Sequence, residues 1–272
     1  MTALALPDHK PWRPTPFLWA SVGVHVVALV ALIVDRSLWP WALGAIVANH
    51  GAITTAGLLP RCAWLGDTIT RLPPANATRG EWALTIDDGP DPDVTPQVLE
   101  ILDAHRTKAT FFCIAELVQR HPHIAAQIVA RGHSIQNHSH AHPHAFSLWG
   151  SRRIEGELRR AQGVLAAHGV TARYFRAPAG LRNIFLAPVL HRMGLRLVAW
   201  TRRGFDTREA RAEVVLARLE PALEGGAILL LHDGHSARNA DGRPVIIDVL
   251  PELLDAAHAK GLRGVTLPEA LG

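Results

Sequence analysis

The sequence has few cysteines and few aromatic residues, and each shortage excludes a class of protein. Two cysteines in 272 residues, Cys62 and Cys113, are too few for a disulfide framework. One Tyr and seven Phe do not supply the aromatic side chains that accompany a basic stripe in nucleic-acid-binding proteins. No internal repeat is present, and 48% hydrophobic against 19% charged residues excludes a disordered chain. The composition therefore indicates one globular domain with some additional material and no nucleic-acid partner.

Charged residues are missing from two stretches near the N-terminus. Residues 17–34 and 38–59 contain no Asp, Glu, Lys or Arg, and three residues separate them. At about 1.5 Å rise per residue, either stretch can roughly cross a hydrocarbon core of about 30 Å. We therefore predict a membrane region over residues 1–65 with two antiparallel transmembrane helices, and so a multi-pass protein of the inner membrane.

Each stretch has an alternative interpretation. The first could be a cleaved secretory signal, although no small-residue cleavage site follows it. The second contains Pro40, Asn49 and His50, which also suit a helix at the membrane interface or packed on its neighbour.

Lys and Arg near these stretches predict their orientation. Two lie before the first stretch, one between the two and three after the second: Lys10, Arg13, Arg36, Arg61, Arg71 and Arg79. Because positive residues concentrate on the cytoplasmic side, this narrow majority favours a catalytic domain in the cytoplasm.

Beyond the membrane region, turn-forming residues precede an alternating pattern. Residues 66–80 include Pro73 and Pro74, and they predict a linker before a domain over 81–272. In that domain seven apolar strand-like runs alternate with helical patterns, at 82–86, 109–114, 134–136, 174–176, 197–200, 227–231 and 264–267. This alternation predicts an α/β fold with a parallel sheet, either open or closed into a barrel.

One of the intervening segments shows the helical pattern clearly. We expect Thr95 to cap it and Pro96 to take its first position. An apolar stripe follows, formed by Val98, Leu99, Ile101 and Leu102.

Two adjacent carboxylates follow the first predicted strand. The segment Thr-Ile-Asp-Asp-Gly-Pro places Asp87 and Asp88 at a strand end, where one can bind a metal and the other can act as a base. The alternative is an ordinary polar turn.

Histidine is abundant, and seven of the sixteen histidines fall between His121 and His144. His138 and His142 are four residues apart, which can direct two ring nitrogens at one ion on a helical turn or tight loop. With Asp88 they would form a two-histidine, one-carboxylate site for Zn²⁺ or another divalent ion. The alternative is a solvated histidine-rich loop, and we expect His121, His123 and His144 to be bystanders.

Four motifs in order resemble those of the polysaccharide deacetylases with the NodB homology domain, carbohydrate esterase family 4. They are Thr-Ile-Asp-Asp-Gly-Pro, His-Ser-His-Ala-His, Arg-Ala-Pro-Ala-Gly from Arg176 and Leu-Leu-His-Asp from Leu230, and they span about residues 81–268. The resemblance implies a distorted, incomplete (β/α) barrel of about seven parallel strands. It also implies a hydrolase of carbon–nitrogen bonds in linear amides that removes an acetyl or formyl group from an amino sugar.

The resemblance also assigns roles to residues. It implies Asp87 as general base, His232 as general acid, and Asp88, His138 and His142 as the metal ligands. It further implies that Arg176 positions Asp87 and that Asp206 tunes His232. The backbone N–H of Ala179 would donate to the oxyanion, and Leu231 with Leu230 would line the acyl pocket.

The chain departs from the family pattern at two places. Ala179 stands where relatives often carry an aromatic residue, and Thr207 follows Asp206 where a Trp is usual. These changes leave the chemistry in place and alter the surface for the sugar. Nearby, Arg202 and Arg203 could bind a phosphate or form a solvated pair.

Two kinds of substrate and one alternative function remain. A cytoplasmic domain would act on a lipid-linked glycan, with membrane lipid as a further partner, whereas a domain outside would face a cell-envelope polysaccharide. The alternative function is a catalytically inactive carbohydrate- or lipid-binding protein, which the presence of the base, the acid and all three ligands disfavours.

Overall fold

The structure is a computed structural model that describes residues 11–272. Residues 1–10, with the Lys10 that contributes to the predicted orientation, lie outside the described residues.

Parallel strands form the centre of the domain predicted over residues 81–272. The strands are β1 Glu81–Asp87, β2 Ala109–Cys113, β3 Ser134–Asn137, β4 Tyr174–Phe175, β5 Arg196–Leu197, β6 Arg202–Arg203, β7 Ile228–His232 and β8 Arg263–Gly264. They pair in the order β5-β4-β3-β2-β1-β7-β6, with β8 beside the start of β1, and every pair is parallel. Because β5 and β6 are the unjoined edges of this order, the sheet is a half-barrel. The predicted parallel α/β fold and incomplete barrel are confirmed.

Helices alternate with the strands along the chain. Over the described residues they are α1 Pro16–Val34, α2 Trp39–Leu58, α3 Pro74–Thr78, α4 Thr95–Ala104, α5 Ala115–Arg120, α6 Pro122–Ala130, α7 Ser151–Ala167, α8 Leu186–Arg192, α9 Ala212–Leu219, α10 Val245–Ala259 and α11 Leu267–Leu271. Short 3₁₀ turns lie at Arg36–Leu38, Phe146–Leu148, Pro178–Gly180 and Glu220–Ala222.

Side chains on the central strands alternate between two layers. In β1, Trp82, Leu84 and Ile86 belong to the main core beneath the helices, whereas Ala83 faces the opposite, inner layer. Since successive side chains of a strand point to opposite faces, Thr85 and Asp87 share the inner face with Ala83. The same alternation in β7 places Leu229 and Leu231 in the main core. The inner face therefore ends in polar residues at the carboxyl ends of the strands.

Helix α4 shows how the sequence pattern becomes packing. Val98, Leu99 and Leu102 are fully buried, and Ile101 is partly buried against the same core. The observed start of α4 differs from the predicted one. Asp91 Oδ1 accepts from Val94 N at 2.9 Å, and Thr95 is already helical. Thr95 Oγ1 instead donates to Asp233 Oδ2. The predicted Thr95 cap is therefore wrong, and Pro96 lies within the first turn.

Helices α1 and α2 pack against each other as an antiparallel pair. Asn49 Nδ2 donates to Ser21 Oγ at 2.8 Å, and the ring nitrogens of His25 and His50 are 3.2 Å apart. Of the helices in residues 11–272, only α1 is both long and apolar enough to cross a membrane, with a mean hydropathy of 2.4. Polar residues such as these make α2 less apolar, so its predicted span stays a prediction.

Residues 66–80, predicted as a linker, pack along the half-barrel. Ile69 N donates to Leu197 O at 2.9 Å, and Leu72 N donates to Gly226 O at 2.8 Å. Leu72 is buried, and so is Asn76, which donates to Glu81 Oε2 at 2.7 Å. The turn-forming residues of this segment thus shape a strap across the open side of the sheet instead of a free connection.

Candidate active site

The predicted site residues converge at the carboxyl ends of the parallel strands. Asp87 ends β1 and Asp88 follows it, His138 follows β3, Arg176 follows β4, and His232 ends β7. All of these except Arg176 line a cavity of about 370 Å³, together with His142, Ala179, Trp200, Arg203, Phe205, Leu230 and His235. Loops at this end of a (β/α) barrel hold the functional groups while the strands provide a rigid base.

Asp88, His138 and His142 form a compact triad. One ligand atom from each lies within 4.8 Å of the others. Asp88 Oδ1 is 3.1 Å from His138 Nε2 and 3.4 Å from His142 Nε2. The structure therefore brings together the three residues predicted as metal ligands.

Two neighbouring turns hold Asp88 in an unusual backbone conformation. Its φ is 76°, a left-handed value that a non-glycine residue keeps only when its surroundings impose it. A Cβ on Gly89 would collide with the Asp233 carboxylate, and a Cβ on Gly234 would collide with the backbone of Asp88. The Asp-Asp-Gly turn and the Asp-Gly turn after His232 therefore fit together only because both glycines lack side chains.

The loop between His138 and His142 is held by polar side chains. Asn137 Oδ1 accepts from Ser139 N at 2.8 Å, and Ser139 Oγ accepts from His142 N at 2.9 Å. Glu157 on α7 accepts from two further backbone N–H groups of the loop. The four-residue spacing thus works on a tight loop, where the hydrogen bonds fix the direction of both rings.

The triad fits a divalent cation. Asp88 Oδ1 is buried and has no hydrogen-bond partner, so a cation at this point would satisfy it. His138 Nδ1 donates to the carbonyl oxygen of Arg176 at 2.9 Å, which directs Nε2 toward the triad. Two imidazoles and one carboxylate are a donor set for Zn²⁺ and for other divalent ions.

Electrostatics favour the same conclusion. Burial, reinforced by the nearby His138, lowers the pKa of His142 to about 4, so this ring stays neutral and able to coordinate. Burial alone would raise the pKa of Asp88, but the neighbouring His138 and His235 outweigh it and lower that pKa, so Asp88 stays ionised. Both features suit ligands that have to be deprotonated to bind metal. Burial would lower the pKa of His138, but Asp87 and Asp88 outweigh it and raise that pKa, so a cation at the triad has to displace a proton from this ring.

Asp87 is held by a buried arginine. Arg176 Nη1 donates to Asp87 Oδ1 at 2.6 Å and to Thr85 Oγ1 at 2.9 Å, while Nη2 donates to the carbonyl oxygen of Ala199 at 2.7 Å. The guanidinium also lies 4.1 Å from the centre of the Phe112 ring. Asp87 Oδ2 is 3.9 Å from His138 Nε2, beside the triad. One oxygen of Asp87 is thus fixed by Arg176 and the other is directed toward the site.

His232 is paired with Asp206. Its Nδ1 donates to Asp206 Oδ1 at 3.0 Å, and its backbone N donates to Asp206 Oδ2 at 2.7 Å. Burial opposes the charged imidazole, but the Asp206 carboxylate outweighs it and raises the pKa of His232 to about 9. His232 is therefore protonated at neutral pH and lies in the cavity wall.

The residues predicted to face the acyl group divide into two groups. Ala179 lines the cavity, in a 3₁₀ turn where its φ is 54°. Leu230 lines the cavity as well, but Leu231 packs in the main core on the opposite face of β7. The prediction for Leu231 is wrong, because residues one apart on a strand point to opposite faces.

Several cavity residues were missed by the sequence interpretation. Trp200 and Phe205 line the cavity and provide the aromatic surface that Ala179 and Thr207 do not. His235 donates from Nδ1 to Asp88 Oδ2 at 3.3 Å. It lies three residues after His232, and that proximity to a motif was the one signal available in the sequence.

The histidines expected to be bystanders do not all lie away from the site. His144 contributes to the lining of the active-site cavity. His121 and His123 lie at the junction of α5 and α6, where their rings contact each other with centroids 6.4 Å apart. His144 is therefore nearer to the chemistry than predicted, although it is not part of the triad.

Comparisons with known proteins identify relatives of the catalytic domain. The sequence profile of the polysaccharide deacetylases matches residues 75–198. A chitooligosaccharide deacetylase of Sinorhizobium fredii is 34% identical over 200 residues, which cover 68% of this chain and 89% of the relative. A peptidoglycan-N-acetylglucosamine deacetylase of Bacillus cereus is 32% identical over 191 residues, covering 70% of this chain and 87% of the relative.

A solved structure shares the fold. It is a mutant of BA3943, a CE4 family pseudoenzyme from Bacillus anthracis, with restored enzymatic activity. It superposes with a TM-score of 0.66 at 26% identity, covering 76% of this chain and 71% of that chain.

Proposed function

The chain belongs to the polysaccharide deacetylase family, carbohydrate esterase family 4, and from that membership we propose that it hydrolyses the N-acetyl group of N-acetylglucosamine or a similar amino sugar. The relatives named above act on chitooligosaccharides and peptidoglycan, which supports an N-acetylated sugar as substrate. The observation that carries the proposal is one cavity lined by the metal-type triad, by Asp87 with the buried Arg176 bound to it, and by His232 with the buried Asp206 bound to it.

In this proposal Asp88, His138 and His142 hold a divalent ion. When bound, such an ion supplies Lewis acidity that activates water and stabilises negative charge on the acyl oxygen. Zn²⁺ suits the donor set, and other divalent ions do as well.

The general base in this proposal is Asp87. Arg176 holds one of its carboxylate oxygens, and the other oxygen lies beside the triad, where it can take a proton from the attacking water. Arg176 is a positioning residue, because its hydrogen bonds to Asp87, Thr85 and the Ala199 carbonyl fix the carboxylate in one orientation.

The general acid is His232, which carries the proton that the leaving nitrogen needs. Water first adds to the acyl carbon and forms the carbon–oxygen bond, with its proton passing to Asp87. The carbon–nitrogen bond then breaks as His232 gives its proton to the nitrogen, and the products are a carboxylate and a free amino sugar. Asp206 keeps the imidazole charged and oriented. The backbone N–H of Ala179 is proposed as an additional oxyanion donor.

We further propose that α1 and α2 anchor the domain in a membrane. The apolar composition of α1 and the many exposed apolar side chains of both helices support this, among them Val27, Ile33, Trp41 and Val47. The positive residues that flank the pair favour a cytoplasmic domain, so a lipid-linked amino sugar is the finer substrate proposal.

Release of acetate tests the function. Full-length protein in detergent is incubated with chitooligosaccharides, peptidoglycan fragments and small N-formyl or N-acetyl amino sugars, with and without a chelator. We expect metal-dependent release, and an Asp87→Asn variant that binds metal without releasing product. No release with any divalent metal would contradict the enzyme assignment and favour a binding protein that has kept the fold.

A further inference from the structure

The base of the helix pair lies directly beside the active-site cavity. Arg182 N donates to the carbonyl oxygen of Gly57 at 3.1 Å, near the end of α2. A Cβ on Gly180 would approach Pro60 to 2.8 Å and Trp200 to 2.7 Å, so the segment after α2 packs closely on the Ala179–Gly180 turn. Arg61 Nη1 donates to Thr201 O at 2.9 Å. The end of the proposed membrane anchor and the reaction site are therefore adjacent.

A second cavity, of about 390 Å³, extends from the active site toward α2. We call it the groove, and its lining is Leu58, Pro60, Arg61, Ala179, Leu181, Trp200, Thr201, Arg202, Arg203 and Phe205. Five of these residues also line the active-site cavity: Ala179, Leu181, Trp200, Arg203 and Phe205. A single elongated substrate can consequently occupy both spaces.

Three arginines give the groove its charge. Arg61 and Arg202 are exposed, Arg203 is half-buried, and no acidic residue is among the lining residues. Among the described residues, none of the three has a carboxylate within salt-bridge distance. Arg203 Nε is buried and has no hydrogen-bond partner. Its guanidinium lies 4.5 Å from the centre of the Phe205 ring, and this contact holds the guanidinium at the junction of the two cavities.

The far end of the groove is apolar. Leu58 is 57% exposed and Leu59 53% exposed, where α2 ends. From there the exposed apolar surface of α1 and α2 continues away from the catalytic domain. Along one path the protein thus offers a catalytic cavity, then a cluster of guanidinium groups, then an apolar helix surface.

We propose that the groove binds a phosphate that joins the amino sugar to a lipid chain, so that the substrate is an amino-sugar phospholipid. Arginine guanidinium groups match phosphate oxygens in charge and geometry. The lipid chain would follow α2 into the bilayer while the N-acyl sugar occupies the catalytic cavity. This inference rests on the proposed deacylase function and adds the chemical class of the aglycone.

The test compares two synthetic substrates that differ only in the phosphate. One is decyl N-acetylglucosaminide and the other is the decyl phosphodiester of N-acetylglucosamine 1-phosphate, both presented to the full-length protein in the same neutral detergent. We expect kcat/KM to be at least tenfold higher for the phosphodiester. In Arg202→Gln and in the Arg202→Gln/Arg203→Gln double variant, we expect this preference to fall at least tenfold. Equal values of kcat/KM for both substrates in the wild-type protein would overturn the proposal.

Matched variants separate the effect from loss of charge and from misfolding. Arg160→Gln removes an exposed positive charge on α7, far in sequence from the groove, and should keep the wild-type preference. Arg203→Lys keeps the charge without the planar fork and should retain part of the preference. A preference that falls equally in Arg160→Gln would contradict a local phosphate site.

Two further measurements separate phosphate recognition from catalysis and from adsorption to lipid. If neither substrate is hydrolysed with any metal, the deacylase function is wrong. The affinities of the protein for decyl phosphate and for decanol in the same micelles can then be compared, and they still decide whether the groove recognises phosphate. If the arginine variants weaken adsorption to anionic phospholipid vesicles but leave the substrate preference unchanged, the arginines bind lipid headgroups and the proposal is wrong.

Discussion

Asp87 and His232 are register partners at the carboxyl ends of the adjacent parallel strands β1 and β7. Each carries its own buried counter-ion, Arg176 for Asp87 and Asp206 for His232. Because the two strands are hydrogen-bonded neighbours, the distance between the proposed base and the proposed acid is fixed by the sheet itself. The two carboxylate–cation pairs orient Asp87, the proposed base, and keep His232, the proposed acid, protonated, which is the division of roles that general acid–base hydrolysis requires.

Loss of the base should abolish most activity without loss of metal. Asp87→Asn keeps the size of the side chain but cannot accept a proton, so we expect kcat to fall by about 10²–10⁴. Asp87 is not one of the three triad residues, so the metal content of the purified variant should equal that of the wild-type protein. A variant with normal activity would remove Asp87 from the mechanism, and a variant without metal would make it a ligand.

The pH profile should report the His232–Asp206 pair. In the proposed mechanism His232 acts in its protonated form, so activity should fall as pH rises through its pKa, which Asp206 keeps above the ordinary value. In Asp206→Asn the supporting charge is lost while burial remains, so the alkaline limb of kcat/KM should move to lower pH. An unshifted limb in this variant would show that another group controls it.

The comparison variant for that profile is Thr207→Val. Thr207 also lines the cavity and is the neighbour of Asp206, but it carries no charge that could act on His232. Its alkaline limb should lie at the wild-type pH, whatever the effect on kcat.

Removal of a triad histidine should weaken metal binding with little effect on the fold. In His142→Ala we expect at least tenfold weaker affinity for Zn²⁺, measured by competition with a chromophoric chelator, because one of three ligands is lost. The core is formed by apolar residues away from the triad, so the melting temperature of the chelated protein should change little. His144→Ala is the matched control, since His144 lines the same cavity outside the triad.

His235 should tune the metal site through Asp88. Its Nδ1–H donates to Asp88 Oδ2, while Asp88 Oδ1 lies between His138 and His142 of the triad. Partners of this kind orient a ligand, and their loss typically lowers metal affinity about 10–100-fold. We expect this of His235→Ala, with partial recovery in His235→Asn, which keeps a donor. Unchanged Zn²⁺ affinity in His235→Ala would show that the contact is a surface hydrogen bond without a role in metal binding.

The triad is more predictable from the sequence than the walls of the cavity. The adjacent carboxylates and the four-residue histidine spacing are local patterns, so Asp88, His138 and His142 can be identified before any fold is known. The pairing of His232 with Asp206 depends on β6 and β7 lying side by side, and it follows only from the family resemblance. Strand β6 itself is two arginines long, and no apolar alternation marks it.

The differences between the sequence interpretation and the structure have equally physical causes. The motif around His232 suggests Leu231 for the cavity, yet the position of His232 on the inner face already requires Leu230, two residues earlier, to share that face. The strap at 66–80 resembles a linker in sequence because Pro73 and Pro74 indicate turns but not whether the turns pack. His235 reaches Asp88 through a turn in which its own φ is 59°, and the sequence does not indicate this conformation.

The orientation of the helix pair can be measured with reporters fused after Gly272 that are active only in the cytoplasm or only outside it. Arg36 is the one Lys or Arg between the two uncharged stretches, whereas Arg13 and Arg61 flank the pair at the domain end. We therefore expect the cytoplasmic reporter to be active. Replacing Asp35 and Ser37 with arginine concentrates three positive residues at the tip and should shift part of the population to the opposite orientation. A wild-type protein with an active external reporter would place the catalytic cavity outside, direct the substrate search to cell-envelope polymers, and leave the roles of Asp87 and His232 unchanged.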